Sequence, residues 1–184
     1  MKSMLKAAAA AMALAFVASA AVAAGKTVMV GGAPMYPTKD IIDNAVNSKD
    51  HTTLVAAVKA AGLVDTLKGP GPFTVFAPTD AAFAKLPAGT VDSLVLPENK
   101  GTLTTVLTYH VVPGRLTARD LMAKIKAGGG KATLTTVQGE PLTAAMAGNM
   151  IMLTDAKGGM SHVSQADVMQ SNGVIHVVDT VLMP

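Results

Sequence analysis

The chain has 184 residues, no cysteine, 3% aromatic residues, and 15 basic against 12 acidic side chains. The lack of cysteine rules out thiol nucleophiles, thiolate zinc sites, iron–sulfur clusters and disulfide exchange, and leaves stability to core packing. Two of the basic residues, Lys2 and Lys6, belong to an N-terminal leader; the rest is close to neutral and has neither the basic stripe nor the stacking platforms of a nucleic-acid binder, so no nucleic-acid partner is expected.

In the leader, Lys2 and Lys6 precede an uncharged Ala-rich run from Ala7 to Ala20, and Ala21-Val22-Ala23 places small residues at a cleavage point. That is the pattern of a secretory signal peptide over residues 1–23. The run is at the margin of the ~20 residues that a membrane span requires. Export to the periplasm or the cell surface, with no stable membrane span after cleavage, is expected. Residues 24–39 are rich in Gly and Pro and predict an extension without regular structure. One domain is expected over residues 40–184.

Asp40 opens a short helix with Ile41, Ile42, Ala45 and Val46 on one face. Thr53 precedes a second, in which Leu54, Val58 and Ala61 recur at helical spacing before Gly62. Gly69-Pro70-Gly71-Pro72 interrupts the chain. The alternation of Phe73, Val75 and Ala77 then predicts a strand that Pro78 ends. Thr79 and Asp80 both carry short oxygen-bearing side chains suited to cap the helix begun by Ala81, Ala82 and Phe83. Helical patterns follow over 90–95 and 102–108, then a short strand over Tyr109 to Val112. Thr117-Ala-Arg-Asp120 opens a capped helix bearing Leu121 and Ile125, which Gly128-Gly129-Gly130 stops. From Lys131 the period changes to two, with strands ATLTTV, LTAAM and MIMLT at hairpin spacing. His162 to Met169 fits neither period, and Asn172-Gly173 leads into a last strand, Val174 to Asp179. The whole predicts an α+β domain: a layer of short helices on an antiparallel β-sandwich.

Enzyme signatures are missing. The chain holds no G-x-S-x-G, H-E-x-x-H or Walker A sequence. Its four histidines, His51, His110, His162 and His176, lie far apart, and no catalytic residue, cofactor or dedicated metal set is assigned. The one oddity is methionine, twelve in all, with Met150, Met152, Met160 and Met169 near His162. Thioethers with imidazole suit Cu(I), whereas Met standing in for Leu in an aromatic-poor core is the plainer reading.

Three stretches, TVFAPTDAAF, YHVVPGRL about thirty residues later, and NGVIHVVDTVLMP at the C-terminal end, closely resemble the signature boxes of the fasciclin (FAS1) domain family in order and spacing. The resemblance spans Asp40 to Pro184. It implies a wedge-shaped β-sandwich with attached helices, in a family of secreted and surface proteins that is not enzymatic and is associated with adhesion. Phe76, Pro78, Thr79, Asp80, Asn172, Gly173 and His176 then mark the fold. The family's first box often has Asn where this chain has Asp80. Tyr109 and His110 match a Tyr-His pair whose surroundings are linked to partner binding in some animal members, and Asp120-Leu121 supplies an acidic–apolar pair nearby. Tyr109, His110, Asp120 and Leu121 are therefore the candidate partner-binding residues; the alternative for the first two is to satisfy buried backbone groups. The leading expectation is an exported, monomeric, non-enzymatic module that binds a surface protein, matrix or envelope partner. The alternative is a periplasmic carrier of a small apolar ligand or copper, held in a pocket of the Met-rich β-half.

Overall fold

A computed structural model describes residues 26–184; the expected signal peptide lies outside them. Residues 28–35, expected to be irregular, instead form a hairpin of β1 (Val28–Val30) and β2 (Ala33–Met35). The correction has a local cause. Gly31 and Gly32 both take positive φ, 56° and 73°, as a two-residue hairpin turn requires, and the alternation around them buries Val30 and Met35 in the core.

Four helices precede or follow the first long strand: α1 (Ile41–Ala45), α2 (Thr52–Ala61), α3 (Val64–Lys68), then β3 (Phe73–Pro78) and α4 (Asp80–Ala84). After α5 (Thr90–Leu94) and a single 3₁₀ turn come α6 (Lys100–Tyr109), β4 (Val111–Pro113) and α7 (Ala118–Ala127). The rest is strand: β5 (Lys131–Thr135), β6 (Pro141–Ala147), β7 (Met150–Thr154), β8 (Met160–Gln170) and β9 (Gly173–Val178).

Seven strands make one sheet in the order β4-β3-β9-β8-β7-β6-β5. Val137 N donates to Val111 O at 2.7 Å and draws the chain after β5 against β4, so the sheet curls nearly into a barrel. The α+β class holds, but the sheet is mixed: β3 and β9 run parallel. Hydrophobic alternation reports that a segment is a strand and not which way its neighbour runs. The stretch around His162 to Met169 falls within β8, whose pairing to β9 slips twice. Asp167 there has φ 58°. These bulges break the period of two that a regular strand would show.

Two cores flank the central strands. Val75 and Ala77 of β3 and Ile175 and Val177 of β9 face a cluster with Leu54, Val58, Leu103 and Leu107 from the helices. Phe76 and Val178 face the opposite cluster, with Leu121 and Ile125 of α7 and the inward side chains of β5 to β8. Burial on both faces demands an almost unbroken apolar run, which is why β9 reads GVIHVV. Gly173 is needed for close approach: a Cβ there would meet Phe73 O at 2.1 Å.

Candidate functional site

Each of the three signature stretches folds into the seam between the two cores, where its polar side chains close backbone groups. Thr79 caps α4 by accepting from Ala82 N at 3.2 Å. Asp80, expected to cap the same helix, reaches the other way. Its carboxylate accepts from Thr53 N at 2.8 Å and Thr52 Oγ1 at 2.7 Å, at the start of α2, where His51 provides no side-chain cap. Partial burial alone would raise the Asp80 pKa; the bonds from Thr52 and Thr53 outweigh it and hold the carboxyl below its ordinary range.

Tyr109 ends α6 and is fully buried; its hydroxyl donates to Pro141 O at 2.9 Å and accepts from Ala156 N at 3.1 Å. His110 follows it, with Nδ1 2.8 Å from Val106 O and Nε2 accepting from Leu182 N at 3.0 Å. Together these contacts require a neutral ring protonated on Nδ1, and burial pushes its pKa down to about 4. Leu121 is 0% exposed within the α7 core. Asp120 is exposed but engaged in a capping box with Thr117: it accepts from Thr117 N at 3.0 Å, and Thr117 Oγ1 accepts from Asp120 N at 3.2 Å. The partner-binding patch expected from Tyr109, His110, Asp120 and Leu121 is therefore corrected. Three of the four are inside: Tyr109 and His110 because the end of α6 is covered by the C-terminal segment and by the β6 and β7 ends, and Leu121 because α7 turns it into the second core.

The third box behaves alike. Asn172 Oδ1 accepts from Ile41 N at 3.1 Å, while Nδ2 donates to Leu67 O at 2.6 Å and Gly69 O at 3.1 Å. One amide thus ties the β8–β9 turn to the ends of two helices. His176 is fully buried, stacks on Phe76 with ring centroids 5.7 Å apart, and bridges Leu116 O at 2.6 Å and Asp167 N at 3.3 Å. Burial lowers its pKa too. Pro78 closes β3 opposite Val178.

Sequence reasoning missed several members of this polar framework. Thr74, inside β3, donates to Gly114 O at 2.6 Å and accepts from Leu116 N at 2.8 Å. Asn44, buried on α1, bonds both backbone groups of Tyr36 and the Gln170 side chain. Asp155 caps the β7–β8 turn through Lys157 N and Gly159 N and receives Met183 N at 3.0 Å. Only Asp155 had a signal, the turn sequence Asp-Ala-Lys-Gly-Gly that follows a strand.

A cavity of about 60 Å³ lies under the helices, lined by Val30, Met35, Ile41, Leu54, Phe73 and Ile175 among others. The pocket expected in the Met-rich half does not sit there: the inward residues of that half, Leu142, Ala144 and Leu153, are fully buried against α7 and one another. Its methionines lie outside instead. Ile151 and Leu153 point inward from β7, so Met150, Met152 and Thr154 point outward; on β8, buried Ser161 and Val163 leave Met160, His162 and Ser164 outward. With Thr143, Ala145 and Ala147 of β6, these outward positions of β6, β7 and β8 include no Asp, Glu, Lys or Arg, while Lys131 of β5, opposite Ala145, and Asp179, beside His162, border them. Met150 is 44% exposed and Met160 57%.

Among the described residues, no helix is long and apolar enough to cross a membrane. The family model of the Fasciclin domain matches residues 49–184. Protein sll1483 of Synechocystis sp. is 46% identical over 159 residues, 86% of this chain and 81% of that one. Immunogenic protein MPB70 of Mycobacterium bovis is 39% identical over 145 residues, 76% of this chain and 66% of that one. The solved FAS1 domain pair of the insect cell adhesion molecule Fasciclin I superposes with a TM-score of 0.71 at 19% identity, covering 81% of this chain and 52% of that one, a likeness of fold.

Proposed function

The chain belongs to the fasciclin domain family, and from that premise we propose that it is an exported, non-enzymatic adhesion or interaction module that docks a partner protein on the outward face of β6, β7 and β8. The fasciclin domain is known in adhesion-related proteins that are in general not enzymes. The N-terminal leader, with its basic start, apolar run and small-residue cleavage point, supports export.

The observation that carries the reading is the run of uncharged outward positions on β6, β7 and β8, bordered by Lys131 and Asp179. An antiparallel sheet open to water on one side ordinarily alternates apolar-in with polar and charged-out, and a contiguous apolar surface patch marks an interaction site. Here Ala145, Ala147, Met150, Met152 and Met160 occupy outward positions with only Thr, Ser and His between them. The chemistry favours a protein over an anionic polymer or a sugar, since the face has one cation at its border, Lys131, and no aromatic platform. By contrast, the polar side chains of the signature stretches already have internal partners.

The test introduces one charge. Residues 24–184 and the Ala145→Lys variant, whose new charge meets only the like charge of Lys131 across the strand pair, are used to retain proteins from envelope and medium fractions; the retained species is identified by mass spectrometry, purified and rebound. Ala145 pairs with Met152 of β7 on one side and with Lys131 of β5 on the other. The variant is expected to melt within about 2 °C of the wild type, as surface changes do, and to bind the purified partner at least ~10-fold more weakly, as a charge buried without a counter-charge would. Equal binding by both proteins would overturn the proposal.

A further inference from the structure

We propose that the outward face of the β7–β8 hairpin is a Cu(I) site centred on the thioether of Met152 and the imidazole of His162, with a third, thioether ligand from one of the two diagonal methionines, Met150 or Met160. The reading starts from two short sequences, Met150-Ile-Met152 and Met160-Ser-His162. Because Ile151 and Ser161 are buried at 5% and 0% exposure, the period of two turns all four flanking side chains to the same outer surface. The register then brings the two pairs together. Met152 lies directly opposite His162, and Met160 lies opposite Thr154. Directly opposed side chains start about 5 Å apart and diagonal ones about 7–8 Å apart. His162 thus has Met152 across from it and Met150 on the diagonal, while Met160 is diagonal to Met152. The three rotatable bonds of methionine cover one such gap, but Met150 and Met160 stand four residues apart along the hairpin, so only one of them can join Met152 and His162 on a single ion.

A second observation concerns the ring itself. Asp179 accepts the His162 backbone N–H at 2.9 Å through Oδ1, and its Oδ2 stands 3.6 Å from His162 Nδ1. A carboxylate against Nδ1 favours the tautomer protonated there, which presents the lone pair on Nε2. This is the outer-shell arrangement that orients metal-binding histidines.

The donor set decides the metal. Two neutral thioethers beside one imidazole select Cu(I) over Zn²⁺, Ca²⁺ or Mg²⁺, the thioethers supplying the softness. Among the described residues there is no cluster of three or more His, Asp or Glu side chains able to hold a harder ion. The residue choice is also specific. On the outward face of β6, β7 and β8 every large apolar residue is Met, with no Leu, Ile, Val or Phe among them. Surface stickiness alone does not ask for sulfur. This proposal stands apart from protein docking, because Leu preserves an apolar face and abolishes a thioether.

The probe is Cu(I) alone, supplied under anaerobic conditions to residues 24–184 in competition with a chromogenic Cu(I) chelator. One equivalent is expected to bind, shifting the methyl resonance of Met152, the ring of His162 and the methyl resonance of either Met150 or Met160, whereas Zn²⁺ shifts none of them. Both Met152→Leu and His162→Gln should weaken Cu(I) at least ~10-fold without changing the thermal midpoint by more than about 2 °C. Met122→Leu, at an exposed methionine of α7, should leave binding unchanged. Failure to draw Cu(I) from the chelator would overturn the site, as would uptake that is equal in Met152→Leu, His162→Gln and the wild type.

Discussion

The central pair β3–β9 and the hairpin β7–β8 belong to one sheet, yet they use polar side chains in opposite ways. In β3 and β9 both faces are covered, and Thr74 and His176 point into protein with every polar atom hydrogen-bonded. In β7–β8 one face is covered by α7 and the other is open, and His162 and its neighbouring methionines stand on the open side. Buried polar groups are costly unless paired, so a polar residue in the centre becomes a structural joint. A polar or sulfur-bearing residue at the periphery stays available to a partner. The most recognisable residues of this chain are therefore its scaffold, and its candidate binding surface lies where the motifs are silent.

The largest expected effect breaks that comparison at Phe76. Phe76→Ala would open a cavity in a fully buried site stacked on His176 and should cost about 3–5 kcal/mol in urea unfolding, whereas Met150→Ala should stay within about 0.5 kcal/mol. Similar losses for the two would mean that the periphery is packed as tightly as the centre.

Acid should act next, through the buried histidines. His110 has an ordinary pKa of 6.5, pushed by burial to about 4 in the fold. Above 6.5 the ring is neutral in both states and its contribution to stability is complete. As the pH falls from 6.5 toward 4 the unfolded chain takes up a proton that the folded one refuses, and stability drops. At roughly 1.4 kcal/mol per pH unit this amounts to about 3 kcal/mol for His110, with His176 and His51, also lowered by burial, acting in the same direction. Urea midpoints measured from pH 7.5 to 4.5 check it. A flat profile across that window would show that these rings are protonated in the fold.

Asp80 gives the smallest effect and the sharpest distinction. Asp80→Ala removes the acceptor for the start of α2 and should cost about 1 kcal/mol. Asp80→Asn keeps an oxygen for Thr53 N and should recover most of it. Because the bond joins residues 27 positions apart, the loss should appear as faster amide exchange in α2 and not in α4. Exchange rising in α4 alone would return Asp80 to the cap of its own helix.

Much of the helical layer was legible because its signals are local. The capping box at Thr117, Gly62 after α2 and the Thr79 cap all operate within four residues, and each forms. The outer strands were legible for the same reason: with one face wet, they alternate. The hairpin at residues 28–35 was legible in principle, through Val-x-Val and Gly-Gly, but composition masked it. The candidate surface was harder. The same period that revealed MIMLT as a strand did not say which of its faces α7 would cover.

From the sequence alone came the family, the α+β class, most of the helix and strand positions and the absence of cysteine chemistry, since these depend on composition and on neighbours a few residues away. Only the tertiary structure decided that β3 and β9 run parallel, that Asp80 caps α2, that Tyr109, His110 and Leu121 are inside, and that Met152 faces His162. Each of those facts joins segments far apart in the chain. Which partner a side chain meets is set by how whole elements pack to bury both cores, and no local pattern encodes it.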